Sequence, residues 1–368
     1  MSTTGVVTVA CCQLAPKIGD LAYNRLLTER AIRSAAFEGA QIIVLPELVQ
    51  SGYVFQDLGE ALTMAETTEG DALSLWFLLA QELNVVIVAG FCEKLPGAKV
   101  ANSCALIDAT GVRAIYRKAH LWDAEKAIFT PGDDSPPVVE TAFGRLSMLI
   151  CYDLEFPEWV RMPALEGADL LCAPVNWPRG PRPTTERPTE IVRVQANASV
   201  NKMFIAACDR YGTERGVEWV QGSVIVDADG YPVTGPATDS GEAILLAQLN
   251  LSDARNKWIS KHNELHSDRR PSSYNMDKTN TFKEQGKMSI YDAMQDELSE
   301  LITLVRLDEQ FISVLAHGAL KLDRESSIQS MNRKRRIEEI SNKFGIGMQP
   351  CHPATLPSPT GCTHQQRQ

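Results

Sequence analysis

Residues 41–48 read Q-I-I-V-L-P-E-L, and residues 85–91 read V-V-I-V-A-G-F. Neither run alternates polar with apolar side chains, so a strand made from either must be covered on both faces. Helical patterns separate them. Leu26, Ala31, Ile32 and Ala35–Ala36 recur along 22–39, with Gly39 as the stop, and a second helix is expected over roughly 71–83. With the strand-like G-V-V-T-V-A-C-C-Q-L (5–14) in front, the order is β-α-β-α-β.

The middle of the chain brings in antiparallel pairs. A-N-S-C-A-L-I-D (101–108) and V-R-A-I-Y-R-K (112–118) meet through a turn at Gly111 and read as a hairpin. Then come strand R-L-S-M-L-I-C (145–151), a helix from about Pro157 to Gly167, strand D-L-L-C-A-P-V (169–175) and a long helix over about 185–202. Strands at 203–208, 223–227 and 242–249 follow. The alternation indicates a layered α/β domain.

After Tyr274 the character changes. Residues 275–290 are polar and unpatterned. Helical spacing returns over about 291–343, with Met294, Leu298, Leu301, Val305, Ile312 and Leu315 on one stripe, read as a docking face. The basic run Asn332–Arg336 reads as a solvated patch. The Pro-, Ser- and Thr-rich end is expected to be disordered. We therefore expect a domain over 1–274 and an extension over 275–368.

Composition narrows the class. The chain is 44% hydrophobic and 22% charged, as a globular protein is. No run of about 18 apolar residues occurs, so no membrane span is expected, and the N-terminus carries no secretory signal pattern. The formal charge is −10; residues 275–368 hold 12 basic and 12 acidic side chains, so the excess lies wholly in 1–274 and argues against nucleic-acid binding. The nine cysteines include no C-x-x-C pair and no His/Cys cluster. Reduced thiols in a cytoplasmic setting, with no structural zinc, are expected.

Three polar residues stand at the ends of apolar strands: Glu47, Lys118 and Cys151. Strand ends are where α/β folds place reactive groups. An acid, a cation and a thiol together suit attack on a carbonyl or nitrile carbon.

At these residues the chain resembles the nitrilase superfamily of carbon–nitrogen hydrolases. The matching segments are V-L-P-E-L with S-G-Y (44–53), Y-R-K-A-H-L (116–121), E-K-A-I-F-T-P-G-D (125–133), L-I-C-Y-D-L-E-F-P-E (149–158) and S-D-R-R-P-S-S-Y (267–274). The resemblance covers about 1–274. It implies a four-layer α-β-β-α sandwich, paired as a homodimer or larger homo-oligomer, with no cofactor or metal. It implies that Cys151 is the nucleophile, exposed at a strand-to-helix turn whose helix N-terminus favours the thiolate. Glu47 matches the general base. Lys118 matches the oxyanion-stabilising cation, together with the backbone N–H of Tyr152. Glu125 matches a second glutamate that orients the lysine and substrate.

Other polar residues have plainer readings. His120 is expected to pack or hydrogen-bond, and Asp153, Glu155, Glu158 and Arg161 to form a local ion-pair group. Cys172 and Cys208 are core residues, and Cys11–Cys12 fill a strand.

Substrate class follows from the same resemblance. True nitrilases in the family commonly carry Trp-Glu after the cysteine, whereas this chain carries Tyr152–Asp153, as amidases and carbamoylases do. The context is similar to bacterial aliphatic amidases, including those acting on ω-amino amides such as 5-aminopentanamide. Asn176 and Trp177, with Tyr53 and Trp122, are expected to line a pocket for a small acyl group. The expected substrate is a small aliphatic amide. A nitrilase or an N-carbamoyl amide hydrolase using the same residues, and a catalytically silent scaffold, are the rivals. The tail has no S-G-G-x-D-S-like ATP loop, which counts against a glutamine-dependent NAD synthetase fusion.

Overall fold

The apolar runs do become doubly covered strands. The computed structural model describes residues 5–183, 185–274, 290–316 and 324–344. The chain divides into two compact units, Met1–Arg270 and Pro271–Gln368.

The first unit opens with β1 (Val7–Gln13), α1 (Leu21–Phe37), β2 (Ile42–Val44), α2 (Leu58–Met64), α3 (Asp71–Leu83), β3 (Val86–Leu95), the β4/β5 hairpin (Lys99–Asp108 and Gly111–Arg117) and the one-turn α4 (Glu125–Ile128). The second half runs β6 (Val138–Thr141), β7 (Gly144–Met148), a 3-10 turn (Cys151–Glu155), α5 (Pro157–Leu165), β8 (Leu170–Pro174), α6 (Thr189–Asn201) and β9 (Phe204–Cys208). The two-residue strands β10 (Thr213–Glu214) and β11 (Val217–Glu218) come next. Then follow β12 (Val224–Val226), β13 (Pro232–Thr234), β14 (Ala243–Leu249), and the small hairpin β15 (Trp258–Ser260) and β16 (Asn263–Glu264).

Two six-stranded sheets result, in the orders β14-β1-β2-β3-β4-β5 and β13-β12-β9-β8-β7-β6. The parallel pairs β1/β2, β2/β3, β7/β8 and β8/β9 lie at the centres, and antiparallel pairs close the flanks. The period-2 pleat sorts the apolar side chains. Val9, Cys11, Ile42, Val44, Val86 and Val88 join the core shared with the second sheet. Ala10, Cys12, Ile43, Leu45, Ile87 and Ala89 pack under α1 and α3, against Leu27, Ile32, Trp76 and Leu79. Val160 and Ala164 of α5 and Ile191, Val194 and Ala198 of α6 cover the far side of the second sheet. The layers are therefore α-β-β-α, as expected.

Three boundaries differ from the sequence reading. β2 stops at Val44 instead of reaching Leu48, because Pro46 has no N–H to donate and the chain turns at once, with Leu48 at φ 48°. β7 stops at Met148, and a 3-10 turn separates Cys151 from α5. α6 starts at Thr189 instead of about 185, because Pro188 takes the cap position, where its missing N–H costs nothing.

In the second unit, α7 (Ile290–Ala316) and α8 (Arg324–Phe344) form a hairpin. Leu301, Ile337 and Ile340 make its small core. Ion pairs Glu297–Lys343 and Glu300–Arg336 show the helices to be antiparallel. Ile312, placed on the apolar stripe, is 52% exposed. The basic run is partly engaged by α7: Arg336 holds Glu300, and Arg333 lies over the Phe311 ring. The Pro-, Ser- and Thr-rich end lies outside the described residues. Among the described residues no helix is long and apolar enough to cross a membrane.

Candidate active site

The early stop of β2 creates the site. The turn after Pro46 folds back on β3, where Gly90 lets it approach: a Cβ there would sit 2.4 Å from the Leu48 nitrogen and 2.7 Å from the Glu47 Cα. Glu47 is thereby buried at the sheet end. Its Oε1 accepts hydrogen bonds from Lys118 Nζ and from Asn102 Nδ2, both at 2.7 Å. Its Oε2 is buried and has no hydrogen-bond partner among the described residues.

Lys118 follows the last residue of β5 and is wholly buried. Its ammonium reaches Glu125 Oε1 at 2.9 Å and Oε2 at 2.8 Å as well as Glu47. Glu125 opens α4 and is held in turn by the backbone N–H of Trp122, 2.7 Å from Oε2. Asn102, in mid-β4, donates to both carboxylates, 2.7 Å to Glu47 and 3.0 Å to Glu125. The sequence reading missed Asn102. Its only signal was an amide in the apolar run A-N-S-C-A-L, where a strand buried on both faces should carry no polar group without a partner.

Burial pushes the Glu47 carboxyl up to about 7, against the pull of Lys118. Burial alone would lower the Lys118 ammonium, but Glu125 and Glu47 outweigh it and hold it above the usual lysine value.

Cys151 begins the 3-10 turn at φ 46°, a left-handed conformation that costs a non-glycine residue about 1–3 kcal/mol. The residue is 6% exposed, so the expected exposed sulfur is corrected to a buried one. The Sγ lies 3.6 Å from the backbone oxygen of Asn176. The thiol sits well above its ordinary value, driven by burial and by the Glu47 carboxylate, while Lys118 pulls the other way. Burial and Glu47 thus favour the neutral thiol, and α5 starts six residues further on, too late to favour a thiolate.

The structure brings most of the expected pocket residues to this cluster. Asn176 touches both ends of it: its backbone oxygen meets Cys151, and its Nδ2 donates to the Glu47 carbonyl at 2.8 Å. Its Oδ1 is buried without a partner among the described residues. The Tyr53 phenol is pushed well above its ordinary value by burial and by Glu125, Glu47 and Cys151. Its ring meets Trp219 edge-on at 5.5 Å. Trp122, 43% exposed, packs edge-on against Tyr152 at 4.9 Å. Trp177 is buried with its ring against Gly222, and its backbone N–H donates to Asp209 Oδ1 at 3.1 Å.

The supposed ion-pair group is corrected at Asp153 and Glu155. Asp153 is buried and bonds to Tyr116, His120 and Ile150, whereas Glu155 pairs with Arg193. The other reading, His120 as a packing and hydrogen-bonding residue, is met: it stacks on Phe156 at 3.8 Å. Cys172, Cys208, Cys11 and Cys12 are all buried. Among the described residues no group of three or more His, Cys, Asp or Glu side chains is placed to hold a metal ion.

A buried Glu–Lys–Glu cluster beside a thiol supplies a nucleophile, a proton acceptor and a fixed positive charge. The carbon–nitrogen hydrolase family model matches residues 8–257. The chain belongs to the carbon–nitrogen hydrolase family. A nitrilase from Pyrococcus abyssi is 34% identical to this hydrolase over 272 residues, 73% of this chain and 99% of that protein. An N-carbamoylputrescine amidase from Solanum lycopersicum is 33% identical over 287 residues, 73% of this chain and 94% of that protein. Among solved structures, a variant of the amidase from Nesterenkonia sp. AN1 is 26% identical and matches with a TM-score of 0.62, over 74% of the hydrolase and 97% of that chain. That structure shows covalent addition of the acetamide moiety of fluoroacetamide at the active-site cysteine.

Proposed function

We propose that this hydrolase cleaves a small aliphatic primary amide to a carboxylate and ammonia through a thioester on Cys151. One observation carries the choice of amide. Among the described residues, three buried acceptors of this cluster are left without partners, Glu47 Oε2, Asn176 Oδ1 and Asn102 Oδ1, against one donor, the Trp219 indole N–H beyond Tyr53. A primary amide brings two N–H donors to such a site, whereas a nitrile brings none. An unmet buried acceptor costs about 1–3 kcal/mol, so the difference favours the amide.

Glu47 Oε2 takes the thiol proton as Sγ attacks the carbonyl carbon. An ammonium has three N–H donors; Glu47 Oε1 takes one, and the two Glu125 oxygens, 2.9 and 2.8 Å away, share a second. The third meets the oxyanion, together with the backbone N–H of Tyr152. Collapse breaks the C–N bond, and Glu47 returns its proton to the departing ammonia. Water then attacks the thioester, giving its proton to Glu47, and the acid leaves as Sγ regains a proton. Removing one oxyanion donor of this kind costs about 3–4 kcal/mol of barrier, so Lys118 is indispensable. Glu125 and Asn102 hold the lysine and the base in place. Tyr53 and Trp122 wall the acyl group, and Trp177 backs the Asn176 segment.

A carbamoyl compound also ends in an NH2 group, and the likeness to an N-carbamoylputrescine amidase favours that second reading. The negative charge of residues 1–274 fits a small-molecule substrate and no nucleic acid. The free, buried cysteines suit a cytoplasmic enzyme, which we expect to be a homodimer or larger homo-oligomer.

The test is a panel of aliphatic amides, nitriles and N-carbamoyl amino compounds, run with wild type and Cys151→Ala. We expect ammonia from amides, without carbon dioxide, and none from the variant. Turnover of nitriles alone would overturn the amide reading. An active Cys151→Ala would overturn the nucleophile.

A further inference from the structure

We infer that Asp153 is a positioning residue that locks the lysine-bearing strand end to the cysteine-bearing turn. The inference rests on the reading of Cys151 and Lys118 as the reacting pair. Asp153 lies two residues after Cys151 and is fully buried. Its Oδ1 accepts from the backbone N–H of His120 at 3.0 Å and lies 2.8 Å from His120 Nδ1. Its Oδ2 accepts from the Tyr116 hydroxyl at 2.8 Å and from the backbone N–H of Ile150 at 3.1 Å. Both oxygens are thus fully engaged, and none of the contacts reaches a substrate site.

The partners are placed symmetrically about the chemistry. Tyr116 and His120 stand two residues before and after Lys118, and Ile150 and Asp153 bracket Cys151. One carboxylate therefore spans the gap between the two sheets where nucleophile and cation must meet. The frame continues outward. Trp159 of α5 donates to the Tyr116 hydroxyl at 2.9 Å, and His120 stacks on Phe156 at 3.8 Å with 17° between the rings. The bond to Ile150 closes the turn across the left-handed Cys151, a conformation that persists only when its surroundings hold it. Without the carboxylate the turn relaxes, and Sγ moves relative to Lys118. A misplacement of about 1 Å costs on the order of 100-fold in rate.

The test uses the full chain as wild type, Asp153→Asn, Tyr116→Phe and a control, Glu155→Gln, whose carboxylate pairs with Arg193 at the surface. Three quantities are read: kcat and KM on the best amide, the rate at which iodoacetamide alkylates Cys151, and the melting temperature. Asp153→Asn should lower kcat roughly 100-fold with KM nearly unchanged, and slow alkylation. Tyr116→Phe, which removes one donor and keeps the ring, should show the same pattern to a smaller degree. The control should match wild type. Wild-type kcat and alkylation in both Asp153→Asn and Tyr116→Phe, measured well below each melting temperature, would overturn the inference. Should Asp153→Asn not fold, Tyr116→Phe decides alone. Should wild type hydrolyse no amide, the proposed reaction fails, while the alkylation rates still decide the role of Asp153.

Discussion

Two carboxylates compete for one buried ammonium, and their unequal engagement sets the chemistry at the residue scale. Glu125 has Oε1 bonded to Lys118 and Asn102 and Oε2 bonded to Lys118 and the Trp122 N–H. Glu47 has one oxygen engaged and one unpartnered among the described residues, which suits Glu47 to proton transfer and Glu125 to holding the lysine. Glu47→Gln should therefore lower kcat by about 10²–10⁴ with the fold retained, as single-turnover assays and circular dichroism would show. The pH dependence follows from the direction of the shifts. Burial raises Glu47 to about 7, and in the proposed reaction this base must be ionised, so kcat/KM should rise with pH and level off above about 7. Lys118 is held above its ordinary value, so no falling limb should appear below about 10.5, the ordinary lysine range. A kcat/KM profile that is flat between about pH 5.5 and 8 would contradict Glu47 as the base.

At the scale of elements, the site depends on a strand that ends early. The proline after Leu45 and the glycine at 90 are one device: the first breaks β2, and the second makes room for the turn that follows. Gly90→Ala should force the Glu47 backbone off β3, lowering stability by about 1–3 kcal/mol and lowering kcat with it. Denaturant titration and steady-state kinetics measure both. The β-α-β alternation, α3 and the hairpin turn at Gly111 were legible because each rests on local periodicity or turn chemistry. The 3-10 turn at Cys151 was not. Its conformation is imposed by Asp153 and its partners from β5 and the loop beyond, which no local pattern encodes.

At the scale of the molecule, a hydrolase unit is followed by a helical hairpin. The 272 matched residues account for 99% of the Pyrococcus abyssi nitrilase, so a relative of this fold is complete without the tail. A chain ending at residue 274 should fold and keep its kcat/KM. Loss of activity with retained circular dichroism would assign the tail a catalytic part.

The sequence by itself determined the strand and helix order, because apolar runs must be covered, and marked Glu47, Lys118 and Cys151 as polar residues at strand ends; the four-layer sandwich and the roles proposed for those residues came from the family resemblance that the same segments carry. Only the tertiary structure decided the rest. It made Asn102 a bridge between two glutamates, took Asp153 out of the expected ion-pair group and made it a buried hub, and buried the Cys151 thiol. Each of these depends on partners 23 to 55 residues away in the chain, and on desolvation that arises only when two sheets close over one polar cluster.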